Sequence, residues 1–448
     1  MRRREFLRDL AAGAAGLGVG ASVASAAQAK PRTRFLLSKN GCGRATGYAE
    51  ANKIVTVDGK THVAWIDSVA EGFRIRVRTL DRATGTWSPT YTVGEAHDNH
   101  GGPALAVDSK GHLHIVYYPH HHPFRYRRSS RPNDASQWDR EIRFGQRCTY
   151  PTLMVGPDDT LYLTCRESNR KGKPWVVNLY TKKPDGDWQR PTAILRADEP
   201  NYAHFQEALA WGPDHRTLHL SARMYGGKPG RSYPVRYLRS RDFGRTWERA
   251  DGGRVELPGT SKTISIIPSD RTKQEGGFRC GSIAVDAAGT PHVLYSESAR
   301  QPSEAWIATP DKSGQWRKRP LLADVTRTLP DWCVSMTGGM TFGAGGWIFV
   351  VLEAVPFKPG TDTRPAGWGD TRKEIVWLES TDGGKHFTAT MASTPDPTCT
   401  HWLPSLERPT GHNRVSVPGL IYTAGGPGKK NTDILSNGVW WVGPPIGE

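Results

Sequence analysis

Three stretches decide the fold: KIVTVDGKTHVAWID at Lys53–Asp67, PALAVDSKGHLHIVYY at Pro103–Tyr118 and PTLMVGPDDTLYLTCRE at Pro151–Glu167. Each is a short apolar run, a turn of Gly, Asp, Ser or Pro, and a second apolar run. Such runs, bounded by turn formers, are strand signals, and two of them across a tight turn make a hairpin. The pattern returns as EALAWGPDHRTLHLSARM from Glu207, GSIAVDAAGTPHVLYSE from Gly281 and GMTFGAGGWIFVVLEA from Gly339, with a degenerate copy in RVSVPGLIYTAG from Arg414. The six clear copies start 50, 48, 56, 74 and 58 residues apart. Repetition at that interval is expected of propeller blades with loop insertions. The expected fold is therefore all-β, a β-propeller with seven blades, each copy being a hairpin within one blade. The 49 glycines and 33 prolines supply the turns, and helical periodicity of useful length is missing after the N-terminal segment.

A second motif interleaves with the first. Ser240-Arg241-Asp242-Phe243-Gly244-Arg245-Thr246-Trp247 reads S-x-D-x-G-x-x-W, and Ser380 to Phe387 repeats it with phenylalanine in the last place. Looser versions end at Trp87, Trp138, Trp188 and Trp316. This resembles the Asp-box of the bacterial-neuraminidase repeat, a turn whose aspartate bonds backbone amides while the aromatic packs beneath. It marks a blade and says almost nothing about substrate.

The N-terminus combines Arg3-Arg4-Glu5-Phe6-Leu7, a small apolar run and Ala27-Gln28-Ala29. That order reads as a twin-arginine export signal over residues 1–29, leaving one propeller domain over 30–448 and a periplasmic or secreted protein. No later stretch is apolar enough to cross a membrane. The formal charge is +16, so an acidic partner is expected. Lysines and arginines are scattered rather than gathered on one helix or tail, which argues against nucleic acid and for an acidic polysaccharide. A monomer is expected.

The densest chemistry lies between His97 and Ser129, HDNHGGPALAVDSKGHLHIVYYPHHHPFRYRRS, where His100 and the triplet His120, His121 and His122 fall at strand ends or in loops. Imidazoles change charge near neutral pH and suit proton transfer. Tyr150 precedes Pro151, and Arg166 closes the third hairpin. An arginine there either presents a guanidinium to a carboxylate or bridges Glu167 or Glu207. Tyr202 and His204 precede the next hairpin, and Arg223 closes it, so the three are candidates for substrate contact.

With these residues in view, the mature chain resembles the neuraminidase-repeat propellers that include the ulvan lyases, polysaccharide lyase families 24 and 25, and related rhamnosyl-glucuronate glycosidases. The resemblance rests on His100 with its GGPALAVDSKGHLHIVYY continuation, on HHHPFRYRRS, and on Thr149-Tyr150-Pro151 followed by Cys165-Arg166-Glu167. It implies a β-elimination site of His100, a second histidine at His120 or its neighbours His121 and His122, Tyr150 and Arg166. Removing the C5 proton of a 4-linked uronate requires the carboxylate to be neutralised, a task for Arg166. An imidazole or a tyrosine takes the proton and the other group protonates the leaving oxygen. No cofactor is required.

The six cysteines are Cys42, Cys148, Cys165, Cys280, Cys333 and Cys399. Cys148 and Cys165 flank one hairpin and either bond or pack. Cys280, Cys333, Cys399 and His401 each precede an inner hairpin, and equivalent positions in successive blades would meet near the axis. That expectation gives a closed structural zinc site with three sulfurs and one nitrogen, of a kind the resembled lyases carry. Two other functional classes stay open: a glycoside hydrolase, including a sialidase, and a noncatalytic glycan-binding propeller. A sialidase would show F-R-I-P where this chain has Phe73-Arg74-Ile75-Arg76.

Overall fold

The first apolar run of the second hairpin becomes the strand Ala104–Val107 and the second becomes Leu113–Tyr117, paired antiparallel from Ala104↔Val116 to Val107↔Leu113. Every residue of both strands is buried, which explains why they read as nearly continuous apolar runs: neighbouring sheets cover both faces. The turn between them is held by Asp108, whose Oδ1 accepts the backbone N–H groups of Lys110 and His112. In the computed structural model, which describes residues 32–169, 172–226, 231–269, 277–298, 301–360 and 366–445, the other five clear copies form hairpins in the same way. The export signal expected at residues 1–29 lies outside the described residues.

The architecture is all-β, with several antiparallel sheets. A typical unit continues its hairpin with two outer strands, as in Phe278–Val285, Pro291–Glu297, Glu304–Pro310 and Trp316–Pro320, a four-stranded meander. Trp332–Phe342, Ile348–Pro356, Glu374–Ser380 and Thr388–Met391 form another. The first and last strands of the described residues meet in one sheet, where Thr33–Gly41 pairs antiparallel with Asn437–Gly443 from Thr33↔Gly443 to Gly41↔Asn437. The only α-helix among the described residues is Leu322–Thr328. No described helix is long and apolar enough to cross a membrane.

The degenerate copy is a correction. RVSVPG is not a strand; Leu420–Ala424 pairs instead with His401–Leu406, upstream of it. The pairing shifts register between Trp402 and Ser405, and Leu403 sits at φ 51° beside Pro404, so the alternation that marks other strands is broken there.

The core fills the spaces between adjacent sheets: Trp65, Ile75, Leu105, Ile115, Ile421 and Trp441 come from three hairpins and belong to one cluster. The Asp-box behaves as read. Asp242 accepts from Thr246 N–H (2.8 Å) and Thr246 Oγ1 (2.7 Å), and Trp247 is buried beneath, its indole N–H on Gly244 O at 3.1 Å. Asp382 repeats this with Lys385 and His386 amides over a buried Phe387.

One long strand positions the site. Ile142–Val155 pairs along one edge with His122–Arg131, reaching Cys148↔His122, and along the other with Leu161–Glu167, where Thr149 faces Arg166. The His triplet and Arg166 are thereby set on opposite flanks of Tyr150.

Candidate active site

Two loops bring the imidazoles together. His97 N–H bonds Tyr118 O (2.9 Å) and Tyr118 N–H bonds Gly101 O (3.3 Å), so the loop carrying His100 lies against the one carrying His120. Gly101 and Gly102 permit this approach: a Cβ on Gly101 would stand 2.5 Å from Tyr118 O, and one on Gly102 would stand 2.7 Å from Gly47 O. His121 N–H in turn bonds Cys148 O (3.0 Å) and Thr149 Oγ1 (3.1 Å), tying the triplet to the strand of Tyr150. His121 and Tyr150 hold left-handed backbone, φ 62° and 60°. Non-glycine residues held there cost about 1–3 kcal/mol each and concentrate at functional sites.

Asp98 organises the centre. Its Oδ1 accepts the His100 backbone N–H (2.7 Å) and His100 Nδ1–H (3.3 Å), and its Oδ2 accepts His120 Nδ1–H (2.7 Å). The rings of His100 and His120 stack at 4.0 Å, and those of His120 and His121 at 4.6 Å. Burial alone would raise the Asp98 carboxyl, but hydrogen bonds from His100 and His120 hold it well below the usual carboxylate range. Burial depresses His100 to about 4, against the pull of Asp98, so this imidazole is neutral at pH 7. His121 is lowered to about 4 by burial and by the nearby charge of Arg166.

Tyr150 lies 6.2 Å from His100, 5.1 Å from Tyr48 and 5.2 Å from His204, ring to ring. Burial, followed by neighbouring Tyr48, raises its phenol well above 10 even with Arg166 opposing, so it is protonated. The Arg166 guanidinium sits 4.5 Å from the Tyr150 ring centre, 5.1 Å from Trp175 and 6.0 Å from Tyr202. It is 1% exposed and none of its three nitrogens has a hydrogen-bond partner. The structural bridge is not made: Glu167 instead accepts from Asn178 (2.6 Å) and Tyr180 (3.0 Å), and both Glu207 oxygens are unpartnered. Arg166 is thus packed among Tyr150, Trp175 and Tyr202, close enough to His121 for its charge to act there. Its cover is aromatic, and within that cover Tyr202 is 54% exposed.

A cleft of about 710 Å³ continues from this centre, lined by Tyr48, Tyr202, His204, Gln206, Arg223, Tyr225, Arg279, Met336 and Trp368. The three residues singled out for substrate contact, Tyr202, His204 and Arg223, all line it. Arg223 Nη1 donates to His204 Nδ1 at 3.4 Å, and burial together with Arg223 and Arg166 drives His204 well below its ordinary value. Burial and the neighbouring Arg279 lower Arg223. Asp98, Tyr48, Trp175, Arg279 and Trp368 were missed in the sequence. Only Asp98 left a signal there, two positions before His100 in HDNHGG.

The four residues expected to hold zinc each have close polar neighbours. Cys280 Sγ meets Ser221 Oγ at 3.3 Å, Cys333 Sγ lies 3.5 Å from Gln301 Oε1, and Cys399 Sγ lies 3.7 Å from Thr400 O. His401 Nδ1–H donates to Glu374 at 2.8 Å; burial opposes, but contacts with Cys399 and Glu374 raise His401 to about 9. Among the described residues, the one set of three or more metal-capable side chains with mutually close ligand atoms is Asp98, His100 and His120. Cys280, Cys333, Cys399 and His401 do not form such a set, although Cys399 and His401 are in contact with each other. All six cysteines are free, so Cys148 and Cys165 pack against each other without a disulfide.

Residues 60–323, more than half of the chain, match the family described as BNR repeat-containing family member. The chain belongs to this BNR repeat-containing family. The BNR chain is 22% identical over 409 residues to "Ulvan Lyase-PL25" of Pseudoalteromonas sp. (strain PLSV), covering 81% of this chain and 78% of that one. It is also 22% identical over 304 residues to "Ulvan lyase" of Nonlabens ulvanivorans, spanning 57% of this chain and 61% of that one. Among solved structures it superposes on a PL25 ulvan lyase bound to -[GlcA(1-4)Rha3S]- with TM-score 0.66, 16% identity and coverage of 91% and 95%. The polysaccharide lyase Uly1 follows with TM-score 0.59, 12% identity and coverage of 92% and 99%. At these identities the superpositions establish a shared fold for the BNR chain.

Proposed function

We propose that this protein is an exported polysaccharide lyase that cleaves a uronic-acid-containing, ulvan-like glycan by β-elimination on a propeller of seven blades. The blade count is supported by the six clear hairpins and by the sheet in which His401–Leu406, Leu420–Ala424, Asn437–Gly443 and Thr33–Gly41 bring together the first and last strands of the described residues. The twin-arginine reading of residues 1–29 supports export. The ulvan lyase relatives support the substrate class.

The observation that carries the chemistry is a buried guanidinium, Arg166, without a partner, beside a protonated phenol, Tyr150, and a neutral imidazole, His100. A buried cation without an anion is costly, and a substrate carboxylate reaching it past Tyr202 would offset that cost. With the carboxylate neutralised, the C5 proton becomes acidic enough to be taken by an imidazole. His100 is the base in this scheme: it is unprotonated at pH 7 and Asp98 stabilises the imidazolium it forms. Tyr150, which holds its proton, gives it to the leaving glycosidic oxygen. Electrons from the C5–H bond form the C4–C5 double bond as the C4–O bond breaks. His120, stacked on His100 and sharing Asp98, orients it, and His121 extends the imidazole row. Tyr202, His204 and Arg223 hold the next sugar.

A hydrolase would need two carboxylates flanking the bond. The nearest here, Asp98, Glu50 and Glu207, are at most 4% exposed, and Asp98 is engaged by two imidazoles. Product analysis on an ulvan-type polysaccharide tests the proposal. An unsaturated end absorbing in the ultraviolet, abolished by Tyr150→Phe or Arg166→Ala, is expected. A saturated end would mean hydrolysis, and binding without cleavage would mean a lectin-like propeller; either overturns the lyase reading.

A further inference from the structure

The Asp98 cluster has a second chemical capacity that proton transfer does not use. Asp98, His100 and His120 each offer one ligand atom, and these atoms lie within 4.8 Å of one another. The Asp98 oxygens are 2.7 Å from His120 Nδ1 and 3.3 Å from His100 Nδ1. Around a tetrahedral zinc with bonds of about 2.0–2.1 Å, neighbouring ligand atoms stand about 3.3 Å apart. Small shifts of these side chains would therefore seat an ion between them. The three are held by different means, His120 through its loop beside Tyr118 and His100 through its backbone bond to Asp98 itself, so the set is preorganised. Two imidazoles and one carboxylate suit zinc, cobalt, nickel or copper rather than calcium or magnesium.

We propose that Asp98, His100 and His120 form a reversible binding site for a divalent transition-metal ion of the zinc class, and that its occupancy switches off elimination. The two Nδ1–H···Oδ hydrogen bonds are exchanged for metal bonds as each Nδ1 proton passes to Nε2 of its own ring, so the imidazoles release no net proton. An imidazole bound to metal cannot accept the C5 proton, and Asp98 no longer steadies an imidazolium. The inhibitory half rests on the lyase reading; the binding half does not.

The test uses the full mature chain, stripped with chelator and titrated with Co²⁺ alone by its visible absorption and with Zn²⁺ by calorimetry. One saturable equivalent is expected. Asp98→Asn and His120→Gln should each weaken it by about a hundredfold or more, with near-ultraviolet circular dichroism verifying that each variant is packed. Tyr150→Phe should bind as the parent does, because it is outside the ligand set. The exposed pair His97 and His122, with ring centres 4.1 Å apart, is the competing site. Binding that survives Asp98→Asn but is lost in His97→Ala/His122→Ala overturns the assignment, as does an absence of saturable binding. If the parent cleaves no glycan but binds one equivalent through Asp98, the metal site stands and the lyase reading falls. If it cleaves glycan and saturating Zn²⁺ leaves the rate unchanged, the inhibitory half falls alone.

Discussion

Replacing Asp98 by asparagine tests the hinge of the proposed chemistry with almost no change of shape. Asp98 accepts side-chain hydrogen bonds from two imidazoles, His100 at 3.3 Å and His120 at 2.7 Å, in addition to the His100 amide. Asparagine keeps one acceptor oxygen but turns the other into an NH₂ donor facing an N–H donor, so one imidazole must flip or withdraw. Hydrogen bonds to a charged group are worth about 1.5–3 kcal/mol each. Both matter most when His100 becomes a cation, which happens only as the C5 proton leaves, so the loss falls on the transition state rather than on binding. Loss of one such bond amounts to about 1.5–3 kcal/mol, or roughly 10–10² in kcat. The assay is the initial rate of ultraviolet-absorbing unsaturated product, with KM expected to change little. An Asp98→Asn enzyme within about threefold of the parent kcat would refute the claim that this carboxylate steadies the base.

Other expectations follow from the same structure. Stability should fall as pH drops from 6.5 toward 4, because His62 and His100 are each lowered to about 4 by burial and the unfolded chain binds more protons in that window; each contributes up to roughly 3 kcal/mol, and His62→Gln should flatten the acid limb of a thermal-melt series. Since Tyr150 is held well above 10, kcat/KM should show no alkaline decline through about pH 9, and a decline centred near 8 would remove Tyr150 as the acid. Asp242→Ala should cost about 1–2 kcal/mol in denaturant unfolding by freeing the Thr246 amide and hydroxyl, with kcat/KM unchanged. Lys373→Met strands the fully buried Glu353, its partner at 3.0 Å, and should cost about 3–5 kcal/mol, much of it recovered by adding Glu353→Gln.

The hairpins were legible because both faces of their strands are covered: a strand such as Leu113–Tyr117, buried throughout, has to be an apolar run. The seventh was misread for a physical reason. Its first strand, His401–Leu406, contains Pro404 and a left-handed Leu403 and is separated from its partner by a long loop, so neither alternation nor turn chemistry marks it. The residues singled out for the site lie at or near hairpin ends, which are where the repeat projects side chains. Asp98 was passed over because a loop carboxylate carries no periodic signal, and Trp368 and Tyr48 because only the tertiary fold sets them on one cleft. Equivalent places in successive repeats do not guarantee equivalent side-chain aim: Cys280 turns toward Ser221 while Cys333 turns toward Gln301.

Scattered basic residues nonetheless become a local field once the chain is folded. Arg44, Arg166, Arg223 and Arg279 come from four separate parts of the sequence, yet their charges all act on the residues of one cleft: Arg44 on His100, Arg166 and Arg223 on His204, and Arg279 on Arg223. Among the described residues none of the four makes an ion pair with a carboxylate, whereas at the surface Arg239 and Arg241 share Glu248 and Arg372 pairs with Asp370. Cations left unneutralised in a partly desolvated cleft repel one another, which is part of why Arg223 is lowered, and the field they sum to attracts a polyanion. A nucleic-acid binder would spread such charge along a convex or grooved exterior to meet successive phosphates. Here it is concentrated over a few side chains walled by Tyr48, Tyr202, Tyr225 and Trp368, which is the combination that takes a sugar ring by its face and its acid group by charge.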